Sequence, residues 1–254
     1  MTDYVITFKD HVAEYRLTRP ESRNSITFEM YQALEQLCVD PGEADVIVLT
    51  AEGEKAFASG TDISNFHDFD SAQDAIDYEA MIGRVIDAVQ LTSVPVIASL
   101  HGVVAGGGAA IAAAADIRIA TPDTRFGMPM ARTLGNCLSV ANLNRLVHLL
   151  GESRTRYLLL TAEFLTIDTL SHSGFVSEIC EDCEASDGRA RELAFHLRTL
   201  APLTMSATRD GLSRLLRSDL PNDSDLIERC YLSDDFAEGI DAFFAKRKAE
   251  WKGL

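Results

Sequence analysis

Residues 101–116 read HGVVAGGGAAIAAAAD, three consecutive glycines running straight into alanines. The stretch opens where an apolar run, VPVIASL (94–100), ends. Glycine has no Cβ, so the backbone can approach a neighbour or a ligand closely. Alanine is the best helix former and the smallest that packs. A buried strand must therefore empty into a helix whose first turn carries no side chains. The unpaired N–H groups of such a turn, with the helix dipole, favour negative charge. Tight helix packing with no ligand is the competing reading of this run alone.

The same design occurs earlier. DVIVLTAEG (45–53) is a continuous apolar run ending in a turn, the pattern of a strand covered on both faces. It leads into EKAFASGTDISNF (54–66), a second segment of small residues. Two strand ends that each present a small-residue turn could converge two backbone N–H groups on one oxygen, as in an oxyanion hole. Neither segment matches G-x-G-x-x-G, the phosphate-binding G-x-x-x-x-G-K-[ST] loop, or the G-x-S-x-G nucleophile turn.

The rest of the chain supplies the frame. YVITF and VAEYRLTR read as two strands around a polar turn, and SITFEMYQALEQLCVD as a helix capped by Ser25 or Thr27. A helix over about 72–90 precedes the strand at 94–100, and DIRIATPDTRFGMP reads as two short strands around a Pro-Asp turn. This recurring strand–strand–helix order predicts the α/β class. From about Glu192 the chain reads as almost all helical. We therefore expect a core over 1–191 and a C-terminal helical oligomerisation module over 192–254.

Charge and cysteine usage narrow the function classes. The 39 acidic residues against 23 basic ones give a net charge of −16, which argues against nucleic acid and anionic membranes as partners. The N-terminus does not read as a signal peptide, and no apolar run reaches the ~18 residues of a membrane span. The five cysteines are scattered, and the one C-x-x-C (CEDC, 180–183) has no second ligand pair. Reduced thiols in the cytoplasm, with no metal site, are the expectation.

Four segments together resemble the crotonase (enoyl-CoA hydratase/isomerase) superfamily, in its order and over nearly the whole chain. They are RPESRNSITFEM, KAFASGTDISNF, VPVIASLHGVVAGGGAAIAAAADIRIA and EGIDAFFAKRK. The resemblance implies a spiral of strand–strand–helix turns and a homotrimer or dimer of trimers. It implies an acyl-CoA thioester as substrate, with coenzyme A as part of that substrate and no permanently bound cofactor. The thioester oxygen would lie between the backbone N–H groups of Thr61 and Gly107. Backbone near Arg23, Asn24 and Ala58 would line the CoA groove, and Phe243 and Lys246 would meet CoA. For Lys246 and its basic neighbours, a solvated helix end is the competing reading.

The chain also departs from that family. Its hydratases use two glutamates, and the corresponding positions here are Ala110 and Met130. No Asp or Glu occurs between Asp123 and Glu152. A positioned acid or base is worth ~10²–10⁴-fold, so two-glutamate hydration is not expected. Isomerisation or a non-standard hydration or dehydration ranks first, with Glu79 as acid/base at the edge of the apolar stripe of helix 72–90. Decarboxylation of a malonyl-type CoA and thioester hydrolysis follow. Arg132, in a stretch that also holds Arg125 and Arg145, could grip a second carboxylate, and Asn136 could orient water. Cys137 could be a nucleophile but has no histidine beside it. His101 is expected to be a satisfied structural histidine, and His67 to lie on a loop over the pocket. A catalytically idle acyl-CoA-binding paralogue is the reading of another class.

Overall fold

The computed structural model describes residues 2–62, 64, 72–133, 135–216, 233–235, 238, 242, 245, 247 and 249–254. The chain opens with an antiparallel pair, β1 (Tyr4–Lys9) and β2 (Val12–Leu17). Helix α1 (Phe28–Val39) follows and buries Met30, Tyr31, Leu34, Leu37 and Cys38, one stripe at helical spacing. Thr27 is its N-cap, and the Thr27 hydroxyl accepts the Met30 N–H at 3.3 Å.

Three further turns repeat one pattern. β3 (Val46–Ala51), β4 (Ala56–Ala58) and α2 (Ala72–Leu91) form the first. β5 (Val96–Leu100), β6 (Val103–Ala105) and α3 (Gly106–Ala114) form the second. β7 (Ile117–Ala120), β8 (Arg125–Gly127), α4 (Val140–Leu150) and α5 (Glu152–Thr161) form the third. Each turn gives its first strand to a six-stranded sheet of order β1-β2-β3-β5-β7 and its second to a four-stranded sheet of order β4-β6-β8. β9 (Leu165–Thr166) closes the smaller sheet, and β10 (Glu178–Ile179), after α6 (Ile167–His172), closes the larger. From β2 to β10 all pairings in the larger sheet are parallel. This is the strand–strand–helix spiral.

Alternation along the strands explains the unbroken apolar runs. Ile47 and Leu49 of β3 and Ala98 and Leu100 of β5 face the main core, which holds Tyr31, Phe57 and Phe126. Val46, Val48 and Ile97 face the other way, onto Ala190 and Ala194 of α7 (Cys183–Leu197). The polar half of that second face is also tied to α7. The Ser99 hydroxyl donates to Asp187 Oδ1 at 2.7 Å, Arg16 donates to Asp187 Oδ2 at 2.7 Å, and Arg191 bonds both oxygens of Glu14 at 2.8 Å. The expected boundary at 191/192 falls inside α7, a single helix packed on the sheet from both sides of that position. A helical segment does follow, α8 (Pro202–Leu215). No helix among the described residues is long and apolar enough to cross a membrane.

Candidate active site

β4 and β6 are parallel neighbours, with Ala56 opposite Val103 and Ala58 opposite Val104. Their C-terminal ends therefore lie side by side, and the two glycine segments leave from the same edge. Gly60 and Thr61 continue β4, while Gly106 and Gly107 open α3. The Ile26 N–H donates to the Gly60 carbonyl at 2.8 Å and the Asp62 N–H to the Ile26 carbonyl at 2.9 Å. Alternation then turns the N–H and C=O of Thr61 away from Ile26. Gly107 is the second residue of a helix whose N-cap, Ala105, offers no side-chain acceptor. Its N–H thus has no partner within the helix.

Both residues line one cavity of about 250 Å³. A Cβ at Gly107 would overlap the Tyr31 hydroxyl, and one at Gly108 would overlap the Ala58 methyl. The glycines are required by close approach to α1 and β4. The alanines behind them are required for a similar reason, since every residue from Gly108 to Ala114 is buried.

The other cavity walls come from α2, from α3 and from the segment after β8. Tyr78, Glu79 and Ile82 contribute from α2, Ala110 from α3, and Met130, Thr133 and Asn136 from the segment after β8. Ala110 and Met130, where the resemblance would place carboxylates, thus both face this space. Glu79 is the one carboxylate among the described lining residues. Burial raises its pKa above the ordinary carboxylate value. Thr61 Oγ1 sits 2.9 Å from Tyr31 Oη and 2.8 Å from Tyr78 Oη. Tyr31 is fully buried, and burial pushes both phenols above their usual range.

The structure thus brings Thr61, Gly107, Glu79 and Asn136 together and leaves Arg132 out. The Arg132 side chain is 54% exposed and reaches Glu163 at 3.9 Å. Neither of the other two arginines of that stretch lines the cavity. Arg125 is exposed, and Arg145 is held by Asp87 at 3.0 Å and Gln90 at 2.6 Å. Cys137 is exposed and does not line the cavity either. His101 is buried beside the Ala56 backbone and does not line the cavity. Burial lowers its pKa.

Asn24 is fully buried and spent on structure. Its Oδ1 accepts the Arg19 N–H, and its Nδ2 donates to the carbonyls of Glu52 and Ala56, all at 2.9 Å. The Ala58 side chain is buried under Gly108. Arg23 has its side chain exposed, and its carbonyl accepts the Ser59 N–H at 3.0 Å. What Asn24 and Ala58 can offer a ligand is backbone. Phe243, Lys246 and His67 lie outside the described residues. Cys180 and Cys183 are half-buried, and no group of three or more metal-ligating side chains occurs among the described residues. The sequence did not single out Tyr31 or Tyr78 for the site. Tyr78 reads as a member of the apolar stripe of helix 72–90, and no spacing signal links residues 31, 61 and 78.

A family model for enoyl-CoA hydratase/isomerase matches residues 7–254. The chain belongs to the enoyl-CoA hydratase/isomerase family. It is 26% identical over 257 residues to a short-chain-enoyl-CoA hydratase of Clostridium acetobutylicum, covering 98% of this chain and 97% of that one. It is 29% identical over 257 residues to an (E)-benzylidenesuccinyl-CoA hydratase of Thauera aromatica, covering 96% of each. Among solved structures, an enoyl-CoA hydratase/carnithine racemase of Magnetospirillum magneticum superposes with a TM-score of 0.90 at 26% identity. That match covers 100% of this chain and 97% of the other.

Proposed function

We propose that this family member binds an acyl-CoA thioester in the cavity and stabilises its enolate through the N–H groups of Thr61 and Gly107. Glu79 is the group that moves the proton, and the net reaction is an isomerisation or a non-standard hydration or dehydration of an enoyl-CoA. One observation carries this reading: two strand-end N–H donors and a single described carboxylate share one cavity. An anionic oxygen next to backbone donors in a water-poor site is stabilised strongly, because the donors are already oriented when charge develops. A half-buried carboxyl with a raised pKa suits proton transfer near neutral pH. The described lining contains no Arg or Lys to hold a second carboxylate, which favours isomerisation over decarboxylation of a malonyl-type thioester.

Ala110 and Met130 favour the second reading, an idle member that binds acyl-CoA without turning it over. Incubation with crotonyl-CoA, a 3-enoyl-CoA and methylmalonyl-CoA, each followed by mass, separates the two. Turnover of an enoyl-CoA is expected. Binding of all three without any product would establish the idle reading.

A further inference from the structure

Asn142, in the first turn of α4, also lines the cavity and is only 5% exposed. Its backbone N–H donates to the hydroxyl of Ser139, the N-cap of that helix, at 3.4 Å. Its side chain is fixed from behind by Arg145, one turn further along α4. Arg145 donates from Nη1 to Asn142 Oδ1, from Nη2 to Asp87 at 3.0 Å and from Nε to Gln90 at 2.6 Å. A guanidinium can only donate, so the end of the amide that meets Arg145 is its oxygen. The other end is the NH2 group, and Nδ2 makes no hydrogen bond with any described residue. Leaving a buried donor unpaired costs about 1–3 kcal/mol, and buried polar groups are in general paired. An open donor on a cavity wall is therefore a binding group for what enters the cavity. The nearby Thr133 hydroxyl is already spent, on the Pro129 carbonyl at 3.0 Å.

We infer that Asn142 is a specificity residue of this site, whose Nδ2 donates to an oxygen on the third carbon of a short acyl group. The inference rests on the acyl-CoA reading above and deepens it. The acceptor is a neutral oxygen, because Glu79 shares the cavity and the charge of Arg145 is met by Asp87, so a second carboxylate would find no counter-charge. The acyl group is short, because about 250 Å³ lies below the ~300–1,000 Å³ of most ligand pockets. With the thioester oxygen at Thr61 and Gly107, the third carbon is where an enoyl-CoA gains or loses a hydroxyl. Asn142 moves no proton itself. It distinguishes a 3-hydroxyacyl thioester from the unsubstituted chain, and so favours hydration or dehydration within the proposed reactions.

The test compares dissociation constants of butyryl-CoA and of each enantiomer of 3-hydroxybutyryl-CoA, by calorimetry. The wild type is expected to bind one enantiomer ~3–10-fold more tightly than butyryl-CoA, the worth of one hydrogen bond. In Asn142→Leu, which keeps the side chain's size and removes its donor, that preference is expected to vanish while butyryl-CoA still binds. Asn142→Ala is expected to lose the preference too, and gives the result if the leucine variant does not fold. A wild type with no preference for either enantiomer, or a preference that survives in a folded variant, overturns the role of Asn142 and leaves the acyl-CoA reading standing. Failure of all three esters to bind the wild type overturns both.

Discussion

Glu79 carries the proton chemistry of this account, and its environment sets a pH signature. Burial raises its pKa, so the folded protein holds this proton more tightly than the unfolded chain does. The sign follows directly. Stability associated with Glu79 is fully present below the ordinary carboxylate value and is lost as pH rises through the raised one. Glu79→Gln is therefore expected to stabilise the fold more at neutral than at acid pH, checked by denaturant titration at both. The same substitution is expected to lower turnover by ~10²–10⁴-fold and to abolish an acid limb above the usual carboxylate range. At this scale the sequence was partly legible. Glu79 stood at the edge of an apolar stripe, and Gly107 followed a buried strand. Arg132 misled because an acid-free stretch says nothing about direction: its partner Glu163 lies across a turn, outside the cavity.

The decisive contacts between elements are those that fit α3 against α1 and β4. Gly107 lies against the Tyr31 hydroxyl and Gly108 against Ala58, so α3 can approach only because it begins without side chains. Gly107→Ala is expected to destabilise the protein by about 1–3 kcal/mol through overpacking, read from chemical denaturation. Combined with Tyr31→Phe, which removes the atom the new methyl meets, the cost is expected to fall short of the sum of the single changes. Strict additivity would show that the two residues do not share that space. The strands and helices were legible from apolar periodicity and caps. The hydroxyl chain of Tyr31, Thr61 and Tyr78 was not, since its three members sit on α1, on the loop after β4 and on α2, and only the closed spiral joins them.

For the whole molecule, the recurring strand–strand–helix order indicated the α/β class and the resemblance implied the spiral, in which each turn deals one strand to each of two sheets. The expected boundary at 191/192 falls inside α7. Helical periodicity marks where helices are, and whether a helix belongs to the sheet depends on which neighbours bury it. Ala190, Ala194 and Asp187 tie α7 to β2, β3 and β5. Beyond it, α8 exposes Leu212 and Leu215, at 60% and 54%. We propose that this surface contributes to a trimer or dimer of trimers. Light scattering is expected to give three or six times the 27.8 kDa of one chain, and a monomer at micromolar concentration would contradict it.

The central claim is that the cavity makes a thioester enolate with Glu79 as the base. Deuterium uptake at the carbon next to the carbonyl of a 3-enoyl-CoA in deuterium oxide tests it most directly, because exchange reports the enolate whatever the final product. Uptake by the wild type that falls by at least ~10²-fold in Glu79→Gln is the predicted result. A thioester that binds but takes up no deuterium, or uptake unchanged in Glu79→Gln, would contradict the account.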